Sequence, residues 1–189
     1  MDSFIVILVH QILFQGMFLI KNVTLSKKLG TTIRGNNREA VISTIFFALT
    51  IIIALVISYL GITYGTLHLI NSDLAIFIGF VGMAVSIVIS SASLVGLKDS
   101  WRVGIIEEQR TKLVTTGIYK YSRNPYFSSY LMVFLSYTVL LQNIFILVCL
   151  IIAFFLVHKM IIKEEKHLYA IHGESYLAYK DSTPRYLVI

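Results

Sequence analysis

The chain of 189 residues is poor in charge, cysteine and proline. Charged residues make up 14% of it, and there are only 2 prolines and 1 cysteine. A single cysteine excludes a disulfide bond within the chain, and Cys149 lies in an apolar run, where we expect it to serve packing. The sequence has no internal repeat, low-complexity tract or separate polar domain. It also has no glycine-rich motif for cradling phosphate, which argues against a nicotinamide-dependent reductase.

Apolar residues, in contrast, are in excess. They make up 57% of the sequence and give it a mean hydropathy of +0.79, which is too apolar for a soluble protein of this length. Four apolar runs carry most of this excess: residues 4–20, 41–60, 74–97 and 127–157. Each of the first three is close to the roughly 20 residues that cross about 30 Å of hydrocarbon. We therefore predict an integral membrane protein.

The fourth run is too long for one crossing, and Gln142 and Asn143 interrupt it near its middle. Polar residues at this place predict a turn between two antiparallel helices of about 15 residues each, a helical hairpin. The predicted fold is therefore an all-α integral membrane protein with five transmembrane helices, of which the last two form the hairpin.

These spans divide the chain into two regions, which we expect to form one folded unit. Residues 1–97 are a three-span membrane scaffold. Residues 98–189 contain a loop (98–126), the hairpin (127–157) and a polar tail (158–189). Because the loop and the tail are longer than a connection between neighbouring helices needs, we expect them to carry the function.

The basic residues test this arrangement independently. Counted over the segments between the predicted spans, Lys and Arg number five in 21–40, none in 61–73, six in 98–126, none in 142–143 and five in 158–189. All 16 therefore fall on one side of the predicted membrane. By the positive-inside rule we expect the N-terminus outside, and the C-terminus and the functional loop in the cytoplasm. Basic loops at an anionic leaflet explain the net charge of +6, so no nucleic-acid partner is expected.

Small residues recur at helical spacing along the third predicted span: Gly79, Gly82, Ser86, Ser90 and Ser93. Within a bilayer such a stripe allows two helices to approach closely. We expect it to pack against a neighbouring helix; a binding groove is the alternative.

The loop before the hairpin carries a group of residues suited to an anion. Gly117 favours a turn with positive φ, and Pro125 suits the first turn of a helix, where its missing N–H costs nothing. Free backbone N–H groups at this helix start can bind a carboxylate, and Arg123 adds a charge with bidentate geometry. Trp101 and Tyr121 could equally be aromatic residues of the membrane interface.

The tail carries the complementary charge. Glu164 and Glu165 directly follow the last span and would face the Arg123 loop if the hairpin helices are antiparallel. A cationic amine or sulfonium would fit between them. Together with Leu113, Val114 and the tyrosines of the loop, these groups suit a zwitterionic ligand that carries a ring.

Taken in order, the elements LVxxGIYxxxRxPY (113–126), EE (164–165) and GExYxxY (173–179) resemble the isoprenylcysteine carboxyl methyltransferase family and its phospholipid methyltransferase relatives. The resemblance extends from about Trp101 to Arg185. Members of these families are small multi-span enzymes that bind S-adenosylmethionine at the cytoplasmic face. The resemblance therefore implies that S-adenosylmethionine is the cofactor, held between the loop and the C-terminal helix.

The resemblance also implies roles for individual residues. It implies cofactor contacts at Thr111, Leu113, Val114, Gly117, Tyr119, Asn124, Pro125, Tyr126, Glu164 and Glu165, with one of the two glutamates in the family's cofactor-binding position. Arg123 and Asn124 are the implied catalytic residues, and His158 or Lys159 stands near the family's substrate-contacting arginine. Thr111 and Asn124 replace two family histidines, but both side chains can still hydrogen-bond the cofactor.

The implied reaction is methyl transfer to a lipophilic acceptor in the membrane. A prenylated cysteine carboxylate is the acceptor that the family implies, and a thiol, an amine or a lipid remain open. A carboxylate would need no general base, whereas a thiol or amine would need one, for which His158, His167 or His172 is available. The alternative is a non-catalytic binding or accessory protein that retains the scaffold, which the loss of both family histidines favours. Neither reading predicts a metal site.

Overall fold

The computed structural model describes residues 2–35, 37–106, 109 and 111–187. Within these residues the chain forms six α-helices, two short 3₁₀ helices and no β-strand, so the predicted all-α class is confirmed. The α-helices are, in chain order, α1 (Ser3–Leu29), α2 (Arg38–Leu60), α3 (Ser72–Leu97), α4 (Pro125–Leu141), α5 (Ile144–His172) and α6 (Glu174–Ser182). The 3₁₀ helices, Lys98–Ser100 and Gly117–Lys120, lie in the connection between α3 and α4.

Four of the helices, α1, α2, α3 and α5, are long and apolar enough to cross a membrane. The remaining long helix, α4, is also apolar but has only 17 residues. At 1.5 Å per residue it is about 26 Å long, slightly shorter than the hydrocarbon core of a typical bilayer.

Polar side chains set the start of α3 and the turn between α4 and α5. Before α3, Asn71 Oδ1 accepts a 2.8 Å hydrogen bond from the backbone N–H of Asp73. Between α4 and α5, Gln142 adopts a left-handed conformation with φ of 42°, and Asn143 Oδ1 accepts a 3.0 Å hydrogen bond from the N–H of Phe145. The turn of the hairpin therefore lies at the two polar residues that predict it.

The second helix of the hairpin is longer than predicted. It runs for 29 residues to His172, so the predicted tail begins inside a helix. The prediction ended the membrane span at residue 157, where apolar residues become sparse, and placed residues 164–165 in a C-terminal helix; in the structure one continuous helix covers both. Ile161 and Glu165 are buried against neighbouring elements, and Lys163 forms an ion pair with Glu39 of α2.

The small-residue stripe of α3 packs against α4. A Cβ atom on Gly79 would lie 2.9 Å from the Cβ of Leu140, and a Cβ on Gly82 would collide with the Ser136 hydroxyl. Ser86 is completely buried. The stripe therefore serves close helix packing, as expected.

Candidate active site

A cavity of about 500 Å³ lies where α1, α2, α4, α5 and α6 meet the connection between α3 and α4. Nine of the predicted site residues line it: Thr111, Leu113, Val114, Tyr119, Arg123, Asn124, Pro125, Tyr126 and Glu164. The fold thus brings the residues of the loop together with a residue of α5 that follows them by some forty positions.

Four predicted residues lie elsewhere. Gly117 begins the second 3₁₀ helix with a φ of 64°, in agreement with the predicted turn. The Nδ1 atom of His158 is 2.8 Å from the hydroxyl of Tyr186, and Lys159 is exposed. Glu165 is buried beside the cavity in an ion pair.

The connection after α3 closes one wall of the cavity by pairing with the connection between α1 and α2. Val103 donates its backbone N–H to the carbonyl of Ile33 at 2.9 Å and accepts from the N–H of Gly35 at 3.0 Å. Asn37 Oδ1 accepts a 2.6 Å hydrogen bond from the N–H of Ile105. These bonds fix the connection over the ends of α1 and α2.

Aromatic residues line the cavity next to this wall. The indole N–H of Trp101 donates a 2.7 Å hydrogen bond to Asn22 Oδ1, and its ring meets the ring of Tyr126 edge-on at 4.8 Å. Both rings are buried, so they are interior side chains and not interfacial ones. Tyr121, in contrast, is 64% exposed, as an interfacial aromatic would be.

A buried ion-pair network lies beside the cavity. Glu165 accepts 2.9 Å hydrogen bonds from Arg123 Nη2 and from both Nε and Nη2 of Arg185. The Nη1 of Arg123 donates to the carbonyls of Lys180 and Thr183 at 2.8 and 2.6 Å. The Nε of Arg123 is buried and has no partner among the described residues. Both carboxylate oxygens of Glu165 are therefore bonded to arginines, and the side chain of Arg123 is fixed where it lines the cavity.

The C-terminal segment, residues 183–187, packs along the start of α4. The N–H of Arg123 donates to the carbonyl of Pro184 at 2.9 Å, and the side-chain amide of Asn124 donates to the carbonyl of Arg185 at 3.2 Å. The N–H of Asn124 donates to Ser122 Oγ at 3.1 Å. Two of the backbone donors expected to be free at this helix start are therefore already used within the chain.

Glu164 is the acidic residue among those that line the cavity in the described part of the chain. It lines the cavity, is half-buried, and has no hydrogen-bond or ion-pair partner among the described residues. Tyr119 stands nearby with its hydroxyl donating to the Ser93 carbonyl at 3.3 Å. Burial, and in second place the charge of Glu164, raise the pKa of Tyr119 well above its usual value, so its hydroxyl stays neutral. This end of the cavity can thus bind a cation through Glu164.

From the charged end the cavity extends between α1, α2 and α4. On α2, Thr44, Ala48 and Ile52 follow one another at four-residue spacing, line the cavity and are exposed, so the cavity is open along this row. On α1, Gln11 and Gln15 line it. Sequence reasoning missed both glutamines, although polar side chains inside an apolar span are themselves a signal of function.

In the part of the chain that the structure describes, no three His, Cys, Asp or Glu side chains cluster closely enough to bind a metal ion.

The chain matches a known protein family. The phospholipid methyltransferase family matches residues 74–175, which are more than half of the chain. The match confirms the resemblance inferred from the motifs, and it spans α3 to the start of α6 with Thr111, Arg123 and Glu164. It does not include α1, α2 or the C-terminal segment. No curated protein matches the chain.

Proposed function

Because the chain belongs to the phospholipid methyltransferase family, we propose that it is a membrane enzyme that transfers the methyl group of S-adenosylmethionine to a lipophilic acceptor. One observation carries this proposal beyond the family: Glu164 presents an unpaired carboxylate to a cavity lined by the other family-motif residues. When bound, S-adenosylmethionine supplies a methyl group that its sulfonium activates for displacement.

The residues of the cavity fit the groups that this cofactor carries. Glu164 would bind its cationic amine, because a half-buried carboxylate without a partner gains from a positive charge. Arg123, which lines the cavity, would bind its carboxylate. Leu113 and Val114 would pack against its ring, and Thr111 would supply a hydrogen bond.

The chain's own contribution to the reaction is alignment and the exclusion of water. Glu165 and the C-terminal segment hold Arg123, while the buried rings of Trp101 and Tyr126 keep their side of the cavity dry. His167 lines the cavity one helical turn after Glu164, whereas His158 bonds to Tyr186. His167 is therefore the base that we assign to an acceptor that must lose a proton, and a carboxylate acceptor, such as a prenylated cysteine, would need none.

We further propose a topology of five spans, with the N-terminus outside and the site at the cytoplasmic face. The four long apolar helices and the shorter apolar helix α4 support it, and so does the location of all 16 basic residues in alternate segments between the predicted spans. The acceptor would enter from the bilayer, since the row Thr44, Ala48 and Ile52 borders an open side of the cavity.

The alternative function is a non-catalytic membrane protein that binds a ligand or a partner through the retained scaffold. Its supporting observation is that Asn124, where the resembled family has histidine, donates its side-chain amide to the chain's own Arg185 carbonyl. A residue that is engaged in this way has less freedom to take part in a reaction.

Calorimetry in lipid nanodiscs tests the proposal. Wild type should bind S-adenosylmethionine, and Glu164→Gln should weaken binding roughly tenfold or more, since a hydrogen bond to a charged group contributes about 1.5–3 kcal/mol. Glu174→Gln, which changes an exposed carboxylate of α6, is the matched control and should bind as wild type does. Absence of binding to wild type would refute the enzyme proposal; binding without turnover on any lipid extract would favour the alternative.

A further inference from the structure

The inner part of the cavity, between α1, α2 and α4, contains a row of hydrogen-bonded polar side chains. The hydroxyl of Tyr130 donates to Gln15 Oε1 at 3.2 Å, Gln15 Nε2 donates to Gln11 Oε1 at 3.2 Å, and Gln11 Nε2 donates to the Tyr137 hydroxyl at 2.6 Å. Along α1, Gln15 and Gln11 lie about 9 and 15 Å from Lys21, at 1.5 Å per residue, and so within the apolar part of the helix. Polar side chains at this depth are costly, and they mark functional sites.

The row retains hydrogen-bonding capacity that the protein does not use. Each side-chain amide has two N–H donors, and Gln15 and Gln11 each use one of theirs within the row. The hydroxyl of Tyr130 uses its one donor on Gln15. Gln11, Gln15 and Tyr130 all line the cavity, so a bound molecule can use what remains.

Ser43 adds an unpaired hydroxyl to the same region. The residue is 1% exposed, it lines the cavity, and its Oγ has no hydrogen-bond partner among the described residues. The neighbouring Thr44, in contrast, donates to the Ala40 carbonyl of its own helix at 2.8 Å. Ser43 lies one turn before Phe47, whose ring stacks on Tyr130 with 5.1 Å between centroids, so the free hydroxyl and the polar row border one space.

This space carries no charge. The charged residues that line the cavity in the described part of the chain are Arg102, Lys112, Arg123 and Glu164; the first three come from the connection after α3, and Glu164 comes from the C-terminal part of α5. Every lining residue of α1 and α2 is uncharged. An ionised group placed among them would have no counter-charge and would lose its hydration, which costs several kcal/mol in order of magnitude.

We propose that this inner site, formed by Gln11, Gln15, Ser43, Phe47 and Tyr130, binds a long-chain lipid through an uncharged oxygen group, a hydroxyl or a carbonyl. The unused amide N–H groups and the Ser43 hydroxyl bond the oxygen, and the aromatic and aliphatic walls contact the chain. This lipid is also the methyl acceptor that we assign to the enzyme, and that assignment rests on the proposed function. The binding itself requires no methyl transfer.

Trp101 provides the readout, since it is the single tryptophan of the chain, is 5% exposed and lines the same cavity. The protein in nanodiscs is titrated, without S-adenosylmethionine, with brominated palmityl alcohol, brominated palmitic acid and brominated palmityl trimethylammonium, and quenching of Trp101 is measured. Unbrominated palmityl alcohol in excess must restore the fluorescence, which separates binding in the cavity from quenching by partition into the bilayer.

Two serines give a matched pair of variants. Both Ser43 and Ser90 are buried and have no partner for Oγ among the described residues, but only Ser43 lines the cavity. Ser43→Ala should raise the Kd of the alcohol about fivefold, the equivalent of one net hydrogen bond, and Ser90→Ala should leave it unchanged. Gln15→Leu is the second variant and should raise the Kd by a similar factor.

We expect Ser43→Ala and Gln15→Leu to weaken binding of the alcohol and to leave the Kd of the acid and of the ammonium unchanged, because an ionised group avoids the uncharged inner site and binds at Arg123 or Glu164, at the other end of the cavity. An equal loss of affinity for either charged probe in these variants would overturn the inference, and so would equal effects of Ser43→Ala and Ser90→Ala on the alcohol. If these expectations for the alcohol fail while S-adenosylmethionine still binds, the inference alone is overturned. Failure of S-adenosylmethionine binding with intact alcohol binding overturns the proposed function alone.

Discussion

Arg123 Nη2 lies 2.9 Å from Glu165 Oε1, and both side chains are more than nine-tenths buried. This ion pair determines which of two adjacent glutamates is available to a ligand. Glu165 is held by arginines, and Glu164 faces the cavity with no partner in the described part of the chain. The same substitution at the two positions should therefore have different effects.

Glu165→Ala should lower the free energy of unfolding by about 3–5 kcal/mol, because it leaves the charge of Arg123 buried without its partner. Glu164→Ala should change it by no more than about 0.5 kcal/mol, since it breaks no hydrogen bond or ion pair of the described residues. Thermal unfolding of both variants in the same detergent measures the difference. Equal losses of stability would contradict the division of roles between the two residues.

The close contact of α3 with α4 predicts that glycine is required at position 79 of α3, whereas it is not required at position 16 of α1. Gly79→Ala should destabilise the protein by about 1–3 kcal/mol, since the added methyl group would stand 2.9 Å from the Cβ of Leu140. Gly16→Ala in α1 meets nothing within 4 Å and should stabilise the helix by about 0.5–1 kcal/mol. Denaturation of the two variants side by side tests the packing, and the prediction is wrong if they shift stability in the same direction.

Tyr179 connects α6 to the loop at the cavity through a 2.6 Å hydrogen bond from its hydroxyl to the carbonyl of Tyr119. Tyr179→Phe should cost about 1–3 kcal/mol of unfolding free energy, because a buried carbonyl loses a donor. Tyr169→Phe removes an exposed hydroxyl from α5 and is expected to be neutral. An unfolding temperature of Tyr179→Phe equal to that of the control would show that the bond does not stabilise the loop.

The proposed topology can be tested with cysteine labelling, since the chain has a single cysteine that can be removed by Cys149→Ala. In that background, His68→Cys and Asp181→Cys each place one thiol at an exposed position. A membrane-impermeant maleimide applied to intact cells should label His68→Cys directly and Asp181→Cys only after permeabilisation. The reverse pattern would place the site on the outside.

Local signals explain why so much of the fold could be predicted from the sequence. The cap at Asn71 and the turn at Gln142 and Asn143 depend on bonds between residues that are close in the chain, so the residue types alone indicate them. The small residues of α3 predict a close contact, although not that α4 provides the other side.

The parts that could not be predicted depend on long-range contacts. The sequence does not indicate whether Glu164 or Glu165 pairs with the arginines, because Arg185 reaches Glu165 only when the C-terminal segment packs on α4. For the same reason His10, for which the sequence indicates no partner, proves to be buried, with its ring nitrogens 2.7 Å from the Tyr137 hydroxyl and 3.0 Å from the Ser86 hydroxyl.

The most direct test of the central claim is methyl transfer by the purified protein in nanodiscs made from a total lipid extract. With S-adenosylmethionine labelled in its methyl group, wild type should yield label in the chloroform-soluble fraction. At subsaturating cofactor Glu164→Gln should yield less than about a tenth of it, because it loses a hydrogen bond to a charged group. Label from wild type that does not exceed label from empty nanodiscs, or equal label from wild type and Glu164→Gln, would contradict the account.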